Sequence, residues 1–76
     1  MIGYILIQTD VGKSSDVTAA VAGVKGVILA EDVTGPYDVI ARAEAKNLRD
    51  LSVLVVDRIQ DVEGVSRTLT CPVVHS

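Results

Sequence analysis

The segment Ile2-Gly3-Tyr4-Ile5-Leu6-Ile7-Gln8-Thr9 is largely apolar in both of its alternating sets. Ile2, Tyr4 and Leu6 lie in one set, Ile5 and Ile7 in the other. A strand sends successive side chains to opposite faces. A strand apolar in both sets is normally covered on both faces. That demand is heavy for a chain of 76 residues. A domain this small buries only about 60% of the surface that its unfolded chain exposes. Yet 49% of the residues are hydrophobic, fourteen residues are Val, and there is no Phe or Trp. So many small apolar side chains predict sheet surface that one short chain does not cover, and hence an oligomer.

The rest of the chain switches between helix and strand periods. Asp10 to Ser15 reads as a loop with capping residues, followed by a helix to about Ala22. Val17, Ala20, Val21 and Val24 fall on one helical stripe. Ser14 or Ser15 is expected to cap this helix, Asp16 suits the positive end of its dipole, and Gly23 marks its stop. Val24 to Thr34 reads as a second strand centred on Val27-Ile28-Leu29-Ala30. Thr34-Gly35-Pro36-Tyr37 then reads as a two-residue hairpin. Gly35 permits the positive φ of a type II′ turn, and Pro36 keeps Gly35 out of the helical region. Tyr37 to Ala45 is the returning strand, with Val39, Ala41 and Ala43 on one face and Ile40, Arg42 and Glu44 on the other.

Residues 47–62 are open to two readings. Leu48, Leu51, Val55, Ile59 and Val62 fit a helical stripe, while Leu51-Ser52-Val53-Leu54-Val55-Val56 also suits a buried strand. Length, the Asn47/Asp50 capping spacing and Gly64 beyond the segment favour the helix. Val65 to Val74 closes the chain as a strand with Leu69, Cys71 and Val73 on one side. A weak repeat is visible: Val24-Lys25-Gly26-Val27 and Val62-Glu63-Gly64-Val65 each lead from helix to strand. The order predicts an α+β, ferredoxin-like βαββαβ fold, with a four-stranded antiparallel sheet and both helices on one face. The other face is expected to find a partner, giving a dimeric α/β sandwich or barrel.

Several classes are excluded on composition. The formal net charge of −3 and the lack of clustered Lys and Arg argue against a nucleic-acid-binding face. No apolar run approaches the ~20 residues of a membrane-spanning helix, and no basic segment precedes the first strand as a secretory signal would require. One cysteine excludes a disulfide framework and suits a reducing cytoplasm. The chemistry-bearing residues are few. His75 is the only histidine, is next to last in the chain, and has no ligand set around it. Cys71 reads as a buried structural thiol. Glu31 and Asp32 are adjacent on a strand and so point to opposite faces. No phosphate-binding glycine loop is present. Neither a catalytic residue, a metal site nor a cofactor is expected.

Thr34-Gly35-Pro36-Tyr37-Asp38 is the densest stretch. It suits a tight hairpin with a packed Tyr and a turn Asp. It also suits a ligand rim: Gly35 allows close approach, Tyr37 supplies a wall, and Asp38 can pair with an ammonium group. Thr68 and Thr70 share one face of the last strand, either as surface hydroxyls or as donors for a small carboxylate.

Gly-Val-Ile-Leu-Ala (26 to 30), Thr34-Gly35-Pro36-Tyr37-Asp38-Val39-Ile40 and Gly64-Val65-Ser66-Arg67-Thr68-Leu69-Thr70 together resemble the effector-binding domain of Lrp/AsnC (feast/famine) transcription regulators. The resemblance covers essentially the whole chain and is consistent with one effector-binding domain over residues 1–76. It implies dimers formed by packing sheets face to face, higher oligomers such as octamers, and an amino-acid-like effector bound between subunits. By the resemblance, Thr34, Gly35, Tyr37, Asp38, Thr68 and Thr70 are the effector-binding positions. Met1 runs straight into the first strand with no helix-turn-helix ahead of it, which implies a stand-alone effector domain without direct DNA binding. Self-assembly and co-assembly with a full-length regulator are the expected partnerships. Pro36 stands where a polar residue is common in the family, so the effector's identity does not carry over. The alternatives are a ligand-free oligomerisation module and a small ferredoxin-like dimeric enzyme.

Overall fold

The computed structural model describes residues 1–75. Strand β1 (Ile2–Thr9) is followed by helix α1 (Ser14–Ala22), β2 (Val27–Asp32), β3 (Val39–Glu44), helix α2 (Leu48–Leu54) and β4 (Val65–Pro72). The four strands form one antiparallel sheet in the order β2-β3-β1-β4. This is the expected ferredoxin-like βαββαβ arrangement. No helix among the described residues is long and apolar enough to cross a membrane.

Alternation along β1 divides the sheet's two faces. Ile5 and Ile7 are fully buried and pair in register with Ala41 and Val39 of β3. Val17 and Val21 of α1, with Leu51, Val55 and Ile59 from the second helical segment, complete the core. Tyr4 and Leu6 point to the opposite face, where Tyr4 is 40% and Leu69 47% exposed. Cys71 pairs with Tyr4 on this uncovered face and is exposed. The expectation of a buried thiol is therefore wrong for the single chain, because Cys71 sits on the side that has no helix.

Asn47 caps α2 as its spacing predicts, its Oδ1 accepting from the Asp50 N–H at 2.8 Å. Beyond Leu54 the helix widens into a π turn over Val55–Ile59, with the Gln60 N–H donating to the Val55 carbonyl at 2.8 Å. The cause is the spacing of the core residues. Leu51, Val55 and Ile59 are four apart, and each such step drifts about 40° around an ideal α-helix. A wider π turn removes that drift and keeps all three buried.

The structure differs from expectation at three element ends. No serine caps α1: the position is Lys13, without a side-chain bond. The hydroxyls of Ser15 and Thr18 instead donate to the Asp32 carboxylate on β2. Strand β2 starts at Val27 and not at Val24, because residues 24–26 form a turn closed by the Val27 N–H on the Val24 carbonyl at 3.0 Å. The β2–β3 connection is a six-residue loop, 33–38, and not a two-residue hairpin. Contacts with β1, described below, hold it open.

The weak sequence repeat becomes a structural one. Gly26 and Gly64 take φ of 99° and 97°. The Gly26 carbonyl accepts from the Glu44 N–H and the Gly64 carbonyl from the Asp10 N–H, both at 2.8 Å. Each joint is packed by the other half's helix. A Cβ on Gly26 would meet Leu54 Cδ1 at 3.3 Å, and one on Gly64 would meet Lys13 Cβ and Val17 Cγ2 at 3.0 Å. Gly64→Ala is expected to destabilise the fold by about 2 kcal/mol, from left-handed strain and this contact. Gly23, at φ −84° with no close neighbour side chain, is the control. Gly23→Ala should be neutral or stabilising by about 0.5 kcal/mol. Urea midpoints measure both, and an unchanged midpoint for Gly64→Ala would contradict the packed joint.

Candidate functional site

Loop 33–38 is tied to the last residues of β1 through both its backbone and its side chains. The Asp38 N–H donates to the Ile7 carbonyl and the Asp38 carbonyl accepts from the Val33 N–H, each at 2.9 Å. Asp38 Oδ2 accepts from the Thr9 N–H at 2.8 Å and from Thr9 Oγ1 at 3.2 Å. Gln8 Nε2 donates to the Pro36 carbonyl at 3.0 Å. Thr9 lies beyond Ile7–Val39, the last β1–β3 pair, so its N–H meets the Asp38 carboxylate where a β3 carbonyl would otherwise accept. This tertiary pairing outweighs the local turn preference of Gly35-Pro36. Gly35 still takes a positive φ, 152°, and no atom lies within 4 Å of where its Cβ would be.

The loop therefore presents Thr34, Gly35 and Pro36 to solvent, with Tyr37 and Asp38 half-buried beneath them. Asp38 has a structural task as a turn Asp, on one oxygen only. Both of its bonds fall on Oδ2, and among the described residues no donor is bonded to Oδ1.

Thr68 and Thr70 lie on the helix side of β4, half-buried, in register with Ile7 and Ile5. Thr68 Oγ1 accepts from Gln60 Nε2 at 2.8 Å. Gln60, Val65, Ser66, Arg67 and Thr68 line an open groove of ≈ 380 Å³ beside this edge strand. The six expected positions thus fall into two groups, one on loop 33–38 and one on β4. The loop group carries Thr34, Gly35, Tyr37 and Asp38; the strand group carries Thr68 and Thr70. Ile7 lies between them, paired to Val39 on one side and Thr68 on the other.

Gln60, Gln8 and Thr9 escaped sequence reasoning. Gln60 stands at the end of the π turn, which the sequence did not announce, and Thr9 is 29 residues from the carboxylate it holds. No local pattern marks either contact. Among the described residues, no three His, Cys, Asp or Glu side chains come together as metal ligands, and His75 is exposed.

Comparison with known proteins gives one consistent picture. The model of the Lrp/AsnC ligand binding domain matches residues 2–76. The chain is 30% identical over 70 residues to the HTH-type transcriptional regulator FL11 of Pyrococcus horikoshii, covering 92% of this chain and 46% of that protein. It thus spans about half the length of the curated relatives that it matches. The structure superposes on TTHA0845 from Thermus thermophilus with a TM-score of 0.91, at 29% identity, covering 99% of this chain and 94% of that one. The fold is shared by the NMB0573/L-Met complex from Neisseria meningitidis, with a TM-score of 0.77 at 20% identity, covering 91% of this chain and 46% of that one.

Asp38→Ala leaves the Thr9 N–H without its acceptor. The expected cost is about 1–3 kcal/mol, the range for leaving a donor without its partner. Hydrogen exchange should show the Thr9 amide opening faster in the variant while the Ile5 amide changes only with global stability. Equal protection of Thr9 in both proteins would show that the carboxylate does not hold it.

Proposed function

The chain belongs to the Lrp/AsnC ligand-binding domain family, and we propose that it acts as an effector-binding unit for a small amino-acid-like ligand. The observation that carries this reading is the pinned loop 33–38. It offers an open backbone at Gly35 and a half-buried Tyr37. It also offers a carboxylate oxygen, Asp38 Oδ1, held in place by the bonds on its other oxygen. A rim fixed before binding loses little entropy when a ligand arrives. The Asp38 oxygen suits an ammonium group, and the Thr68 and Thr70 hydroxyls suit a carboxylate. The L-Met complex of the Neisseria relative supports an amino acid as the ligand class.

The loop group meets β1 at Thr9, and the strand group lies on β4 beyond it. In line with the family resemblance, the ligand would lie between subunits, against the loop of one copy and β4 of another. The uncovered apolar sheet face supplies the means of assembly, with two copies packing face to face and dimers joining further. A ligand at such an interface acts through its different affinity for the assembled and separate states. Modulation of transcription then proceeds through assembly, alone or with a full-length regulator. The net charge of −3 supports a role without direct DNA contact, and the regulatory family supports one without catalysis. The exposed free thiol of Cys71 supports a reducing cytoplasm.

Thermal shift and sedimentation with a panel of the common amino acids test the reading. A ligand at 100 times its Kd adds about 2.7 kcal/mol of stability. For a domain of this size that raises Tm by about 15 °C. Thr70→Val should abolish the shift while leaving the unliganded Tm within about 3 °C. A chain that oligomerises but responds to no amino acid, in Tm or in assembly, is a structural module and not a sensor.

A further inference from the structure

The sheet face opposite the helices is apolar at its centre and charged in one unexpected place. Cross-strand pairing sets Leu29, Arg42 and Tyr4 in one row and Glu31, Ile40, Leu6 and Leu69 in the next. Arg42 lies on the inner strand β3. Its guanidinium stands 6.0 Å from the centroid of the Tyr4 ring, and its Nε is buried with no hydrogen-bond partner. A guanidinium on a face that becomes covered needs a carboxylate, which its terminal N–H groups can take in a bidentate pair. Glu31 is exposed on the same face, one row and one strand away.

Resting on the face-to-face dimer of the preceding subsection, we propose that Arg42 receives the partner's Glu31, and that this reciprocal pair sets the register of the homodimer and selects its partner. In a two-fold interface, if Arg42 meets the partner's Glu31, then Glu31 meets the partner's Arg42. The axis must then bisect the line joining the two residues on one face. Strands lie about 4.8 Å apart, and same-face residues along a strand about 6.8 Å apart. With those spacings the bisector runs past Leu6, at the centre of the apolar face, and Ile40 and Leu69 fall under the partner. The Asp38 carboxylate is already engaged by Thr9, so Glu44, two residues along β3, is the competing carboxylate. Its bisector crosses the end of the sheet between the Ile2 and Tyr4 rows and leaves Ile40, Leu6 and Leu69 outside the overlap. Coverage of the apolar centre therefore selects Glu31.

A buried ion pair fixes register and partner more than it adds stability. A relative lacking the complementary charges at these two positions would leave Arg42 unpaired and be rejected. The pair thus decides between self-assembly and mixed assembly at the same face.

Charge reversal tests this directly. Arg42→Glu places like charges at both copies of the pair, and so does Glu31→Arg. Each variant alone should dimerise at least about 100-fold more weakly than wild type by sedimentation equilibrium. Mixed one to one, the two variants restore both pairs in a heterodimer. Its affinity should return to within about tenfold of wild type. Circular dichroism checks that each variant is folded. A second measurement does not depend on charge: Arg42→Cys and Glu31→Cys chains, each carrying Cys71→Ser, should cross-link to one another when mixed under oxidation and not to themselves. A wild-type chain that stays monomeric overturns the dimer reading itself. A wild-type dimer whose single reversals still dimerise, or whose mixture stays apart and does not cross-link, overturns the Arg42–Glu31 pair and leaves the dimer standing.

Discussion

Ile5 and Ile7 are sealed between sheet and helices, while Tyr4 and Leu6, on the same strand, look the other way. β1 is central in both senses, since it pairs with β3 on one edge and β4 on the other. Both of its faces are apolar, but the chain has helices for only one. Helices α1 and α2 use valines and a few larger aliphatic residues, set over the small Ala41 and Ala43 of β3, to close that side without an aromatic residue. The rest of the structure is arranged around this asymmetry: a finished core on one side of a four-stranded sheet and an unfinished one on the other.

Much of this is legible in the sequence, and the departures arise where local pattern does not decide the outcome. Period-two patterning gave β1 and the inward face of β3, because strand alternation is a local property. The Asn47 cap was legible for the same reason. The loop at 33–38 was misread because Gly35-Pro36 states a local preference, while the Asp38–Thr9 bond that overrides it joins residues far apart in the chain. Ser14 and Ser15 look like caps, yet the Ser15 hydroxyl turns to Asp32 on a neighbouring strand. The π turn was hidden because a spacing of four still falls within the tolerance of a helical stripe. Cys71 was misplaced because alternation tells which residues share a face but not which face the helices will cover.

The two glycine joints show how a small domain gains rigidity from a duplicated plan. Each joint is held by its own carbonyl on a neighbouring amide and filled by a residue from the other half's helix. The halves are thereby interlocked and not merely adjacent. The Gly64 joint lies at the end of the sheet where loop 33–38 and Thr68 lie. The candidate site accordingly rests on a cross-connected end of the sheet, with Asp10 bound to Gly64, Thr9 to Asp38 and Gln60 to Thr68. What such a site lacks is enclosure, and enclosure is what a second subunit would add.

The absence of Phe and Trp leaves two tyrosines as the only aromatic side chains. Tyr4 lies on the uncovered sheet face under Arg42, and Tyr37 lies on the loop. The hydrophobic core is therefore silent in the near ultraviolet. The uncovered sheet face and loop 33–38 each carry one intrinsic chromophore. Absorbance and emission from the unlabelled protein thus report on the two surfaces separately, once either tyrosine is replaced.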